Sequence, residues 1–321
     1  MDNIAVLGLG SIGLRHAANL ISLGASVVGF DPNPERHALL RDLGGTVATS
    51  RDMALHLVDA AVIATPNRYH VQDLTACLRA RRPCFIEKPL AHTAAEPLPL
   101  IEEAEKLGLL IFPGMNLRFH PAVMAAHSWL AEGYLGRLLW GDARVSLFLP
   151  DYRPGSDYRN SYAADPKTGG VIFDDIHEID LICHLLGPAS LLAASACNTG
   201  TLGIAAEDMS NLVLRHHCGA VSSVHLDFVT KPRLRRCDIA GIKGRLSLDL
   251  DGRRAVLLDV SGAVLEDITF PGSYAEDHKA QIAAFLNCLR TGSPSPCPPK
   301  EALQILELSL TARQCAGLPQ P

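Results

Sequence analysis

The stretch NIAVLGLGSIGLRHAANLISLGASVVGFD, residues 3–31, decides the fold. Its apolar run Ile4–Leu7 reads as a buried strand. Gly8-Leu9-Gly10-Ser11-Ile12-Gly13 follows at once and opens a helical pattern in which Leu14, Ala17, Ala18 and Ile21 share one face, with Gly24 as the stop. Ser26–Phe30 is a second strand, and Asp31 closes it. In this setting each glycine has a task. Gly8 permits the tight turn, Gly10 lets the backbone approach a pyrophosphate, and Gly13 lets the helix pack close to the strand. The helix start at Ser11 and Ile12 offers N–H groups and a partial positive charge to phosphates. Asp31 stands where a carboxylate accepts hydrogen bonds from ribose hydroxyls. That favours NAD, since a 2′-phosphate would be repelled; Arg36 nearby leaves NADP as the alternative. The competing reading is a glycine-rich βα turn with no ligand, and the full strand–helix–strand–acid context argues against it.

Working outward, apolar runs recur at Ala60–Ala64, Cys84–Ile86 and Leu109–Phe112, with helical patterns between them. Asn33-Pro34-Glu35 caps and opens a helix that runs to Gly44. Strands alternating with helices imply an α/β doubly wound parallel sheet, a Rossmann domain over residues 1–118. Beyond it the pattern changes. A helix at His120–Glu132 precedes strands at Arg137–Phe148, Ser210–His216, Ala220–Val229, Arg236–Ala240, Arg245–Leu250, Arg254–Val260 and Val264–Phe270. Cys218-Gly219 reads as a hairpin turn, and Val224, Leu226 and Phe228 alternate with Ser223, His225 and Asp227. Helices at His278–Arg290 and Lys300–Cys315 close the chain. Residues 119–321 therefore read as an α+β domain on an open, mostly antiparallel sheet.

Composition narrows the class. The 321 residues are 48% hydrophobic and 20% charged with a net charge of −5, which argues against nucleic acid or an anionic membrane as partner. No apolar run reaches the length of a membrane helix, and no basic leader with a cleavage site precedes the first strand. The nine cysteines are scattered without a CxxC pair, so neither a disulfide frame nor a metal site is expected, and the thiols fit a reducing cytoplasm.

Two further motifs end strands at the ligand edge of the sheet. Ala64-Thr65-Pro66-Asn67, with His70 just after, is placed to meet the nicotinamide half of the cofactor; the plainer reading is a turn with an Asn cap. Glu87-Lys88-Pro89 ends an apolar strand with a charged pair. There the Lys88 ammonium can hold a substrate hydroxyl and stabilise developing alkoxide charge, whereas alone the pair would read as a surface ion pair.

With these motifs on the page, the chain resembles the Gfo/Idh/MocA oxidoreductases, named for glucose–fructose oxidoreductase and inositol dehydrogenase. The likeness spans nearly the whole chain. It is carried by the glycine loop, Ala64-Thr65-Pro66-Asn67 with His70, Glu87-Lys88-Pro89, the segment GGVIFDDIHEID at residues 169–180, and His225-Leu226-Asp227. The resemblance implies a Rossmann domain and a second domain whose open sheet often joins subunits into a dimer or tetramer. It also implies NAD(P)-dependent oxidation or reduction of a sugar, cyclitol or derivative. It matches His177 to the acid/base and Asp174 to its carboxylate partner. The usual spacing sets that carboxylate four residues before the histidine. Here Phe173 stands at that position, and Asp174 is three before. Residues 174–186 read as one helix, on which Asp174 and His177 share a face, with Asp175 as competitor. Histidine suits proton transfer in both directions. His184 reads as a packing residue and Asp180 as a supporting carboxylate.

On the substrate side, Tyr152, Arg153, Tyr158, Arg159 and Tyr162 crowd a loop just before this helix, and Asn116, Arg118 and His120 leave the last Rossmann strand. Tyrosines suit sugar rings and arginines suit anions, so a small polyhydroxylated substrate is expected, with solvated surface arginines as the plainer alternative. His225 and Asp227 are read as reaching the site or an oligomer interface. Competing functions are redox-neutral NAD-dependent glycosidic cleavage and a non-catalytic dinucleotide sensor.

Overall fold

The N-terminal alternation folds into the expected layers. In the computed structural model, which describes residues 2–152 and 157–321, β1 (Asn3–Leu7) runs through the glycine turn into α1 (Ser11–Ser22) and on to β2 (Ser26–Phe30). There follow α2 (Glu35–Asp42), β3 (Thr46–Val47), α3 (Arg51–His56), β4 (Ala60–Ile63), α4 (His70–Arg79), β5 (Cys84–Glu87), α5 (Pro97–Leu107) and β6 (Ile111–Gly114). The six strands are parallel in the order β3-β2-β1-β4-β5-β6. The order reverses between β1 and β4, and ligands of such sheets bind outside the strand ends at that point. β1, β4 and β5 are buried almost throughout, as strands covered on both faces must be. The two-residue β3 is too short to leave an apolar run in the sequence.

The second half contains α6 (Pro121–Ala131), β7 (Leu138–Phe148), α7 (Leu149–Tyr152), α8 (Val171–Asp174), α9 (Ile176–Leu186), β8 (Ala189–Cys197), β9 (Met209–His216), β10 (Val221–Asp227), β11 (Val229–Gly241), β12 (Gly244–Asp249), β13 (Arg254–Asp259) and β14 (Val264–Thr269). α10 (Tyr274–Thr291) and α11 (Pro299–Cys315) close the chain. The eight strands form one sheet, β14-β13-β12-β11-β7-β10-β9-β8, antiparallel except where β10 lies parallel to β7. α6, α8 and α9 pack against it. A side chain at Gly141 would strike Ile182 and Leu186 of α9, so Gly141 faces the helices and its neighbours Trp140 and Asp142 point away from them. β8 is the strand that the sequence hides: its run of alanines and serines carries no apolar alternation.

The chain divides into two compact units, Met1–Asn116 with Tyr274–Leu303, and Leu117–Ser273 with Gln304–Pro321. The first unit thus takes in α10, which the contiguous boundary at 118 leaves to the second. The reason is packing. Phe285 of α10 sets its ring edge-on against Phe85 (5.9 Å) and Phe112 (5.7 Å) of the parallel sheet, and His278 lies 6.1 Å from His16 of α1. In the second unit the core joins Val145, Val224, Leu226 and Phe228 of the sheet with Ile176, Ile179 and Ile182 of α9.

Candidate functional site

In the first unit the glycine turn is built as a cradle. Gly8 holds φ +88°, where a Cβ would lie 2.7 Å from the Ala64 carbonyl, and a Cβ on Gly13 would fall on the Gly8 carbonyl. Gly10 has open space where its Cβ would be, and as N-cap of α1 it offers no side-chain cap. The first N–H groups of α1, at Ser11 and Ile12, are thus left for an anion. Asp31 accepts from Leu9 N (2.7 Å) with Oδ2 and from Asn33 N (2.8 Å) with Oδ1. A carboxylate has roughly four lone-pair positions, so acceptor sites remain for two ribose hydroxyls. These residues fit a bound dinucleotide.

Glu87, which ends β5, and His70, which follows β4 and opens α4, both turn inward. Glu87 is 8% exposed and turns inward, its Oε1 2.6 Å from Nε2 of the fully buried His16. Burial pushes the Glu87 carboxyl up, but the hydrogen bond and charge of His16 outweigh it and hold it below the ordinary range. Lys88, half-buried, follows at the ligand edge of β5. His70, 1% exposed, places Nε2 2.8 Å from the Thr65 carbonyl and Nδ1 2.9 Å from the Pro89 carbonyl. It therefore staples the loop after β4 to the loop after β5, one ring nitrogen facing each carbonyl. The side chains of these two expected cofactor residues are thus turned to His16 and to two backbone carbonyls. The Thr65 hydroxyl likewise turns to Asp73 (2.7 Å), while Pro66 is exposed and Asn67 opens a short turn, Asn67–Tyr69.

In the second unit the Gly169-Gly170 turn leads into the segment that carries Asp174 and His177. Gly170 holds φ +84°, and a side chain there would fall on the Glu207 carboxylate. The expected single helix over 174–186 is two helices. α8 ends at Asp174, Asp175 breaks the run at φ −100°, ψ 35°, and α9 starts at Ile176. Asp174 and His177 therefore lie on either side of a break and do not share one helix face. Asp174 is half-buried and accepts a hydrogen bond from the Tyr162 hydroxyl. His177 is 7% exposed. Asp175 is engaged elsewhere: its Oδ1 lies 3.0 Å from Nη2 of Arg235, whose Nε is 2.7 Å from Glu178. Burial pushes the Glu178 carboxyl up to about 7 against the pull of the Arg235 guanidinium. One buried cation serves two carboxylates, so the second has reason to keep a proton.

Arg118, expected to touch substrate, is buried in a forked ion pair with Asp180, with Nη2–Oδ1 at 2.6 Å and Nε–Oδ2 at 3.0 Å. The reason is burial: both side chains are withdrawn from solvent, and such a guanidinium needs its counter-ion. His120 caps α6, accepting from Ala122 N, with Nε2 3.1 Å from the Leu250 carbonyl. Asn116 meets His278 inside the first unit. His184 stacks on His127, ring centroids 4.7 Å apart. His225 lies 2.8 Å from Asn211 and 3.0 Å from Asp227, and burial of Asp227 is outweighed by its hydrogen bonds, which hold it at about 2. His225 is in register with Arg144 and Asn211 on the sheet face turned from α9. In the tyrosine–arginine loop, Tyr152 is exposed, the Tyr158 hydroxyl donates to Leu202 O (2.9 Å), and Arg159 lies over the Tyr158 ring and pairs with Asp157. Arg153 lies outside the described residues.

The residues that sequence reading missed are Glu178, Arg235, Glu207 and Arg313. Arg313 is fully buried and donates to Glu207 (2.7 Å) and to the Gly169 carbonyl (3.2 Å), holding the glycine turn. Arg235 had a signal. Cys237 and Ile239 face the core, so period two puts Arg235 on the same inward face.

Comparison with known proteins agrees with this fold. Residues 3–115 match the family profile described as "Oxidoreductase family, NAD-binding Rossmann fold", and residues 123–247 match the "GFO/IDH/MocA C-terminal domain". The chain is 24% identical over 326 residues to a myo-inositol 2-dehydrogenase of Thermotoga maritima, covering 97% of this chain and 95% of that one. It is 28% identical over 193 residues to a 1,5-anhydro-D-fructose reductase of Ensifer adhaerens, 59% of this chain and 56% of that one. A solved levoglucosan dehydrogenase, in complex with NADH and levoglucosan, superposes with a TM-score of 0.88 at 20% identity over 98% of this chain and 97% of that one. At that identity the likeness concerns the fold.

Proposed function

Because the chain belongs to the GFO/IDH/MocA oxidoreductase family, we propose that it moves hydride between NAD(P) and a secondary alcohol or ketone of a sugar, cyclitol or derivative. The observation that carries this reading is the end of β5. Glu87 is turned inward to His16, and the strand brings half-buried Lys88 to the same ligand edge of the sheet as the glycine cradle. The nicotinamide, when bound, supplies the hydride acceptor or donor. Lys88 holds the reacting oxygen and stabilises alkoxide charge as the O–H proton leaves. His177 takes that proton during oxidation and returns it during reduction, with Asp174 as its carboxylate partner. The two-hydroxyl capacity at Asp31 supports NAD over NADP.

The substrate is small and polyhydroxylated, as the names of the relatives suggest: inositol, anhydrofructose and levoglucosan. Tyr152, Tyr158, Arg159 and Arg153 are the proposed substrate contacts, with Tyr158 and Arg159 preorganised by their local bonds. Trp140 and Val213, exposed on the sheet face turned from α9, support assembly of dimers or tetramers through that sheet. Among the described residues no helix is long and apolar enough to cross a membrane, and the cysteines are unpaired, which supports a cytoplasmic setting.

A panel of sugars, inositols and sugar acids with NAD and NADP, followed by NADH absorbance and product analysis, tests the proposal. One polyol oxidised with stoichiometric NADH is the expected result. Cleavage of a glycoside with no net NADH, or cofactor binding without turnover of any member, overturns it.

A further inference from the structure

His177 sits on a segment that does not hold itself. α8 is a single turn, Val171–Asp174, too short to be stable alone. Asp175 breaks the helix, and as N-cap of α9 it makes no side-chain capping bond. The family's usual spacing would put one more residue between carboxylate and histidine. The core residues Ile176, Ile179 and Ile182 set the rotation of α9 as a whole, and its first turn, beside the break, has in addition a distant group to fix it.

Arg235 is that distant group. It stands on β11, which is paired on both sides, to β7 at Val145 and beyond to β12 through Arg236. Its backbone carbonyl accepts from Leu250 N at 2.9 Å. Arg235 is 5% exposed, and its guanidinium reaches both sides of the histidine: Asp175 at the break (3.0 Å) and Glu178 immediately after His177 (2.7 Å). Neighbours on a helix differ by about 100° in direction, so pinning Glu178 pins the direction of His177. We propose that Arg235 is the positioning residue for His177, a buried fork that bridges Asp175 and Glu178 and so aims a shortened, broken helix for proton transfer. The inference rests on the reading of His177 as the acid/base. It adds a residue that touches neither substrate nor cofactor and acts only through the segment it clamps.

The guanidinium spans both carboxylates from one rigid plane, Nη2 donating to Asp175 (3.0 Å) and to Glu178 (3.4 Å) while Nε lies 2.7 Å from the other Glu178 oxygen, whereas an ammonium is a single point on a flexible stem. Arg235→Lys keeps the charge inside the core and loses one of the two bridges.

The test compares wild type, Arg235→Lys, Asp175→Asn and His177→Asn with the panel compound that reduces NAD fastest. The readouts are kcat, KM, NADH affinity by fluorescence, Tm, and the pH profile of kcat. A second readout needs no substrate: the imidazole NMR titration of His177, assigned by its loss in His177→Asn. We expect Arg235→Lys to lower kcat about 10- to 100-fold, the scale set by misplacing a reacting group by about 1 Å. NADH affinity should stay within about twofold, and both the kinetic and the NMR titration of His177 should move. Asp175→Asn should act in the same direction with a smaller fall, and it carries the test if Arg235→Lys does not fold. Wild-type kcat and an unmoved His177 titration in the folded variant overturn the inference while leaving His177 catalytic. A kcat loss matched by an equal loss of NADH affinity or of Tm assigns Arg235 to the fold alone and also overturns it. Undiminished turnover in His177→Asn removes the underlying reading, and the positioning role falls with it.

Discussion

The glycine turn of the first unit and the Gly169–Asp180 segment of the second both begin with glycines that a side chain would block, yet they are held in opposite ways. The turn is specified locally. Gly8 meets Ala64, Gly13 meets Gly8, and Asp31 reaches Leu9, all within one βαβ unit and the neighbouring strand. The later segment is specified from far away, by Arg313 on the glycines and by Arg235 on the break. A cofactor cradle needs only backbone in the right shape, which a few residues can enforce. An acid/base needs a side chain aimed at a reacting atom, and here that aim is set by buried ion pairs.

The largest effect that can break this comparison is at His177. His177→Asn should lower kcat by about 10²- to 10⁴-fold, the usual worth of a positioned acid/base, with NADH affinity unchanged in a fluorescence titration. Asp174→Asn should cost less, because its carboxylate lies across the break and acts through the ring. An equal loss in the two variants would mean that they work as one unit despite the break.

Next is the cradle itself. Gly13→Ala puts a methyl group on the Gly8 carbonyl. The turn must open, and NADH affinity should fall by about 10- to 100-fold, by analogy with other overpacked sites that cost about 1–3 kcal/mol. Calorimetric titration would show it. Retained affinity would mean that the turn is softer than its geometry implies, and that the two regions differ less than argued.

How much of this was legible in the sequence follows the same division. Strands β1, β2, β4 and β5 could be read because they are short, apolar, mostly buried in β1, β4 and β5, and punctuated by glycine or proline. Lys88 could be read because a charge at the end of such a strand is anomalous. Asp174, Asp175 and His177 were all visible as residues, but their pairing was not. A period of 3.6 makes positions three and four apart equivalent, so nothing local announces a break at Asp175. Arg118 and Arg235 show the same limit from two sides. Both are arginines near the proposed chemistry, and only the identity of the buried counter-ion, Asp180 or Asp175 with Glu178, shows that neither is a free substrate ligand. The return of α10 to the first unit was also hidden, since its apolar residues do not say which core receives them.

A smaller effect should appear in the pH dependence of stability. Burial lowers the His278 pKa to about 4, so the folded first unit binds fewer protons there than the unfolded chain, whose histidines titrate near 6.5. Stability from this group is present above about pH 6.5 and is lost as pH falls toward 4, at most about 3 kcal/mol. His278→Phe should flatten that part of a urea-denaturation series between pH 7.5 and 4.5. A series as steep as wild type would show that another group sets the acid limb, and Glu87, paired to His16, is the next to replace.

The smallest expected effect tests whether the first unit is as local as its glycines suggest. His70 joins the loops after β4 and β5 through two backbone carbonyls, at 2.8 Å and 2.9 Å. Two acceptors call for two donors, which only the charged imidazolium has, and the charges of Glu87 and Asp73 favour that form. Burial opposes it and is the larger influence, so the pKa is lowered and the neutral ring donates to one carbonyl while facing the other with a lone pair. The staple is therefore half satisfied, and its worth is nearer one ordinary hydrogen bond than two, about 1 kcal/mol. His70→Leu should weaken NADH binding by about five- to tenfold while leaving kcat at saturating cofactor nearly unchanged, as expected of a residue that sets loop position and not chemistry. A much larger loss would mean that the ring is charged in the folded protein and holds both loops. In that case the cofactor side, like the proton side, depends on a buried cation.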